Sequence, residues 1–255
     1  MTQKVAPNNT PVDTFRAQNG EDRWLDEFFA HKRGGYFVDV GAYDGVDLSN
    51  SYHFEQIGWS GILAEPDPDN AARCQASRPG SRTFQCAVVA SPATTEITFH
   101  RAISGVFSTT HLTEQHAQRL AGMGQNTDTL TVPARTLDSL LIEAGAGKVD
   151  FVSIDVEGAE LDVLAGFDIR RWNPDIVVIE SNTKYRLPAI RDYFVQNGYA
   201  YLHSIDVNDF YQRMGSGMVR LIDAWRYGLH RIDRRLARLA HNLRRAWKKR
   251  HKTGG

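Results

Sequence analysis

Five stretches of the chain are nearly continuous in apolar residues: YFVDV from Tyr36, GILAE from Gly61, TFQCAVVA from Thr83, DFVSID from Asp150 and DIVVIES from Asp175. Runs of this kind, without polar alternation, are what strands buried on both faces require. Segments with helical spacing or turn residues separate most of them, which predicts an α/β class, doubly wound and mostly parallel sheet. Around TTEITFHRA and LTVPA the period falls to about two, so extra strands or an irregular excursion are expected between the third and fourth core strands. LPAIRDYFVQNG reads as a helix. YAYLHSIDVNDFYQR reads as two strands around a turn at Asp206 to Asp209, closing the sheet antiparallel. Beyond a GSG hinge, Met218, Ile222, Trp225, Leu229, Ile232, Leu236, Leu239, Leu243 and Ala246 recur by alternating four and three, the seam of one long amphipathic helix. No internal repeat is visible.

The 255 residues, 42% of them apolar, suffice for one α/β core. The expected division is an amino-terminal extension over residues 1–17, a body over 18–214, and a hinge with a helical tail over 215–255. Two cysteines, Cys74 and Cys86, make neither a disulfide framework nor a metal-ligand spacing, which fits a reducing compartment. The first residues lack the apolar core of a signal peptide, and no stretch has the length of a membrane span. A cytoplasmic protein is expected, with peripheral attachment at the inner membrane face as a variant of that reading. Lys+Arg and Asp+Glu both total 30, yet from Val219 onward the chain holds 12 basic and 2 acidic residues. The neutral sum therefore hides a basic tail on an acidic body.

In a doubly wound sheet ligands bind at the carboxyl ends of strands, so the residues that finish strands carry the chemistry. The first run delivers Asp39 and then turns through Gly41 and Gly45. The second ends in Glu65, whose two carboxylate oxygens suit the two hydroxyls of a ribose. The turn spacing is G-x-x-x-G rather than G-x-G-x-x-G, and an acid precedes it, so a pyrophosphate is poorly served. A ribose joined to a cationic amino-acid end, as in S-adenosylmethionine, fits better. Capping of the next helix by Asp39 is the plainer reading and stays open. In KVDFVSIDVEGAELDVLAGFD the strand delivers Asp155, with Glu157 in the turn, before a helix with Leu161, Leu164 and Ala165 as its apolar face. Either acid could instead cap that helix. Glu180 ends the next strand.

QNGEDRWLDEFF, GGYFVDVGAYDGVDLSNSYHFE, GWSGILAEPDP, TLDSLL, VDFVSIDVEGAELDVLAGFD and PDIVVIES occur in this order. Together they resemble the FkbM-type S-adenosylmethionine-dependent methyltransferases, over about residues 18–212. The resemblance implies a class I, Rossmann-like methyltransferase fold and O-methylation of a sugar, glycan or natural-product hydroxyl. It places Asp39, Gly41, Ala42 and Gly45 along the methionine end of the cofactor, with Tyr43 standing where many class I enzymes have a middle glycine. Glu65 would bind the ribose, Pro66 and Asp67 would shape the adenosine pocket, and Cys86 and Ala87 would border the adenine. Ser49 and Asn50 begin the polar side of the first helix, within reach of the cofactor or as caps.

A hydroxyl acceptor must lose its proton during transfer. Asp155 is the first choice as base or orienter, followed by Glu157, then Glu180 and His53. A divalent ion such as Mg2+, held by Asp155, Glu157 and Glu180, is the route not favoured. The acceptor is expected to be a small molecule or glycan, met by the stretch from Ser104 to Asp128. A scaffold that binds the nucleoside without catalysis, recruiting a partner through its tail, is the rival. For residues 218–250, an anionic membrane surface would use seam and charge together, a coiled-coil copy in a homo-oligomer would use the seam but set like charges against each other, docking on the acidic body or on a second subunit is the plainer reading, and nucleic acid would use the charge alone.

Overall fold

The computed structural model describes residues 13–102, 108–110, 127–181, 188–214, 219 and 221–228. Its strands are β1 Tyr36–Val40, β2 Ser60–Ala64, β3 Arg82–Phe84, β4 Ala87–Val88, β5 Glu96–Ala102, β6 Thr127–Arg135, β7 Phe151–Ile154, β8 Ile176–Glu180, β9 Tyr199–Ile205 and β10 Asn208–Arg213. The helices are α1 Glu21–Phe28, α2 Tyr52–Gln56, α3 Pro68–Ser77, α4 Leu137–Glu143, α5 Glu160–Ala165, α6 Ile169–Trp172 and α7 Pro188–Gln196. Seven strands form the main sheet in the order β3-β2-β1-β7-β8-β10-β9. The first five are mutually parallel, and β10 runs antiparallel to both neighbours. This is the class I methyltransferase arrangement that the resemblance implies.

Strand residues alternate between two apolar layers, which explains why the runs are unbroken. On β1, Val38 and Val40 join one layer with Ile62, Leu140, Val152 and Leu164. Phe37 enters the other with Leu25, Phe54, Trp59, Leu63 and Phe151. Asp39 lies two residues from Phe37 and so faces that second layer, where a carboxylate needs partners.

Two sequence expectations change. The third apolar run is two strands. The Cys86 N–H donates back to the Phe84 carbonyl at 3.1 Å, and this tight turn takes the chain out of the main sheet. Strand β4 then pairs with β6, and β6 with β5, in a second sheet of order β4-β6-β5. The period-two stretches are these strands. The other change concerns α5, which buries Val163 and Leu164 but leaves Leu161 36% exposed and Ala165 exposed. Its phase starts at Glu160, whose carboxylate accepts the Gly158 N–H at 2.9 Å.

Residues 219 and 221–228 are helical, and they attach to the body. Val219 is buried, and Asp223, 1% exposed, accepts the Tyr201 N–H of edge strand β9 at 3.0 Å and a bond from Arg191. Tyr227 packs edge-on against Tyr201. Of the expected seam, Ile222 is half-buried and Trp225 exposed, whereas Met218, Leu229, Ile232, Leu236, Leu239, Leu243 and Ala246 lie outside the described residues. Among the described residues no helix is long and apolar enough to cross a membrane.

Candidate active site

The carboxyl ends of β1, β2 and β7 open on one cleft. Gly41, Tyr43, Glu65, Pro66, Cys86, Ala87, Asp155 and Glu157, all expected from the sequence, line it. Phe99 of β5 and Ser108, Thr109 and Thr110 complete the wall from the side of the second sheet.

Glu65 is set where β2 ends. It is 5% exposed, and its two oxygens each accept one backbone N–H at 2.9 Å, Oε2 from Tyr43 and Oε1 from Asp67. Two fixed donors orient the carboxylate and leave acceptor capacity on both oxygens, which fits a vicinal diol. Burial pushes its pKa up to about 8, against the lowering effect of those N–H groups. Tyr43 takes a left-handed φ of 52°, the conformation for which a glycine at this place would be suited. Gly41 has φ 84°, and a Cβ there would stand 1.8 Å from the Asp155 carbonyl oxygen. Close contact between the β1 and β7 turns therefore depends on that glycine.

The other expected cofactor residues stand behind this wall rather than on it. Asp39 is 5% exposed and accepts from Ser51 Oγ at 2.5 Å and Ser49 Oγ at 3.4 Å. Burial raises its pKa, and the two serines and the Arg78 charge oppose the rise. Asp39 thus braces the start of α2 through its Ser51 cap instead of capping the helix itself. Asn50 donates to Ser153 Oγ at 3.0 Å. Ala42 is buried, and Gly45 abuts Arg78 and Cys74. Asp67 caps α3, accepting from the Asp69 and Asn70 N–H groups, while its other oxygen pairs with Arg101 at 2.6 Å. Burial pushes the Cys86 thiol up to about 12, so it serves as a neutral wall.

At the end of β7, neither Asp155 nor Glu157 caps α5, whose cap residue is Ala159 without a side-chain bond. Asp155 reaches solvent through the cleft. Crowding by protein, together with Glu160 and Asp39, raises its pKa above the ordinary carboxylate range, although a hydrogen bond with Glu180 opposes the rise. Glu157 holds a left-handed φ of 51°, and Thr109 Oγ1 donates to its carbonyl at 2.9 Å. Asp155, Glu157 and Glu180 can each offer one oxygen within 4.8 Å of the others. His53 does not join them. Its ring stacks on Phe15 at 3.9 Å, its Nδ1 lies 2.6 Å from Thr14 Oγ1, and burial lowers its pKa.

Arg78 went unmarked in the sequence. It is fully buried and donates to the carbonyls of Gly45 and Ser51, to Ser51 Oγ and to Glu55, so it clamps the turn after β1. Nothing in its neighbourhood, SRPGS, signals this, because its partners lie 23 to 33 residues away. Ser108 to Thr110 fall in the expected acceptor stretch, whose residues 104–107 and 111–126 are outside the described residues.

Residues 39–201 match the methyltransferase FkbM domain. A 2-O-methyltransferase, NoeI, of Sinorhizobium fredii is 33% identical over 144 residues, covering 51% of this chain and 56% of that protein. Methyltransferase 1 of Beauveria bassiana is 28% identical over 162 residues, covering 57% and 64%. The chain thus spans less than two thirds of either curated relative. A TehB-like S-adenosylmethionine-dependent methyltransferase of Corynebacterium glutamicum superposes with a TM-score of 0.42 and 12% identity, over 77% of this chain and 89% of that one.

Proposed function

The chain belongs to the FkbM methyltransferase family, and on that premise we propose that it moves a methyl group from S-adenosylmethionine to a hydroxyl oxygen of a sugar, glycan or other small molecule. The observation that carries this reading is the convergence of Glu65 and Asp155, from separate strand ends, on one cleft beside the bare backbone of Gly41. The 2-O-methyltransferase name of the Sinorhizobium relative supports oxygen as the acceptor atom.

The sulfonium of the bound cofactor supplies an electrophilic methyl group for in-line displacement. The protein's part is placement and proton removal. Glu65 accepts the ribose hydroxyls, Gly41 and Tyr43 bring main chain to the amino-acid end, and the neutral Cys86 and Ala87 border the base. Asp155 accepts the proton of the acceptor hydroxyl, with Glu180 steadying its carboxylate and the Thr109 bond holding the Glu157 turn. His53, packed on Phe15 outside the cleft lining, serves the fold.

A second reading rests on the three clustered carboxylates. Asp155, Glu157 and Glu180 would hold a divalent ion such as Mg2+, which would acidify the acceptor hydroxyl.

Asp155→Asn tests the assignment, because it keeps shape while removing the charge. Cofactor affinity by calorimetry should change little, while labelled-methyl transfer to saccharide acceptors falls by about two to four orders of magnitude. Near-normal turnover would remove Asp155 as the base. Loss of parent activity in chelator, restored by Mg2+, would favour the metal reading. Cofactor binding with no transfer across the acceptor panel would favour a non-catalytic scaffold.

A further inference from the structure

The start of the tail helix has two unlike faces. Val219, Asp223 and Tyr227, four residues apart, are turned to the body, where Asp223 satisfies Tyr201 and Arg191. Leu221 and Trp225, also four apart, are 73% and 66% exposed. Each lies two positions after a body-facing residue, about 200° round the helix axis. The docking contacts therefore hold the apolar pair facing away from the sheet. Trp24, Trp59 and Trp172 are by contrast at least partly covered in the core clusters, and the cost of an exposed Trp beside an exposed Leu asks for an occupant.

Charge identifies it. Residues 229–255 carry ten Lys or Arg against one acid, Asp233. A second copy of the helix would bring this charge against itself. The acidic body is on the other side of the helix from Leu221 and Trp225. An anionic lipid surface meets both features together: an indole and a leucine side chain for the region just below the headgroups, and basic side chains for the headgroups.

We infer that this chain docks on anionic membranes through Leu221 and Trp225 and the basic segment that follows, lying on the surface without crossing it. Basic residues are drawn to an anionic surface and the attraction is screened by salt, so binding should be strongest at low salt. The apolar pair converts attraction into insertion and sets which side of the body faces the lipid. The inference is independent of the methyl acceptor.

Cosedimentation with vesicles tests it. The full chain should bind vesicles of phosphatidylcholine with about one third phosphatidylserine, bind pure phosphatidylcholine weakly, and be released as salt rises. The double variant Leu221→Ser, Trp225→Ser keeps every charge, and both positions are exposed, so its thermal melt should match the parent. Its partition onto the anionic vesicles should fall about ten-fold or more. Absence of parent binding at low salt would overturn the inference. So would equal binding of the double variant, since charge alone would then suffice. A parent dimer that the double variant dissociates, seen by light scattering without lipid, would assign the face to a second copy instead.

Discussion

Glu65 offers a measurement in which proton and ligand compete for one group. Burial holds its pKa at about 8, although two backbone N–H groups point at it. A ribose diol donates two hydrogen bonds and so prefers the ionised carboxylate. Binding therefore lowers this pKa, and affinity is full above pH 8 and lost as pH falls through it. At pH 7 about ten molecules in eleven would be protonated, and ionising the group costs about 1.4 kcal/mol. The dissociation constant for S-adenosylhomocysteine should accordingly be about ten-fold larger at pH 7 than at pH 9. The ligand's own ammonium group also begins to lose its proton at the alkaline end of this range, so the informative quantity is the ratio of parent to Glu65→Ala affinities. At pH 9 that variant should bind about 1.5–3 kcal/mol more weakly, the value of hydrogen bonds to a charged acceptor. Toward pH 7 the gap should close by about ten-fold. Glu65→Gln is not a milder substitute. Its amide nitrogen must face either the Tyr43 or the Asp67 N–H, leaving a buried donor unpaired at about 1–3 kcal/mol of stability. Isothermal titration calorimetry from pH 6.5 to 9 reads all of this. A parent-to-variant ratio independent of pH would refute the shifted pKa, and equal affinities would remove Glu65 from the ribose.

Gly41→Ala places a methyl group 1.8 Å from the Asp155 carbonyl at a left-handed φ. It should destabilise the fold by about 2–5 kcal/mol in urea melts, and an unchanged midpoint would deny the close approach of the two turns. Asp223→Ala strands the Arg191 guanidinium and the Tyr201 N–H. It should cost about 3 kcal/mol, a chain ending at Ser216 should melt at least as early, and parent-like melting of both would show the edge contact to be idle.

The main sheet was legible because burial on both faces forbids polar interruptions, leaving runs such as DIVVIES with no other reading. The bend at Gln85 and Cys86 was not, since a change of sheet leaves residues as apolar as before. For α5 the helical period was visible but its phase was not, because Glu160 is set by its own bond to Gly158. Glu65 and Asp155 could be read as strand-end acids because their position in the chain is also their position in the cleft. Phe99, Thr109 and Arg78 act across distances in sequence that no local pattern encodes. Asp67 illustrates the converse, a carboxylate in the expected place that is occupied by a helix cap and by Arg101.

Strand β10 is made after β9 yet lies between β9 and β8. A growing polypeptide therefore emerges with the flank of β8 bare, its Val177 to Ile179 backbone unpaired, and β9 has nowhere to attach until residues 208–213 follow. The economical route is for β9 and β10 to close first as a local hairpin across Asp206 and Val207, then to add to β8 as one piece. A hairpin that arrives as one piece can also arrive from a neighbouring molecule. Refolding at high concentration should thus yield exchanged dimers joined through this insertion, a hazard that rises with protein concentration.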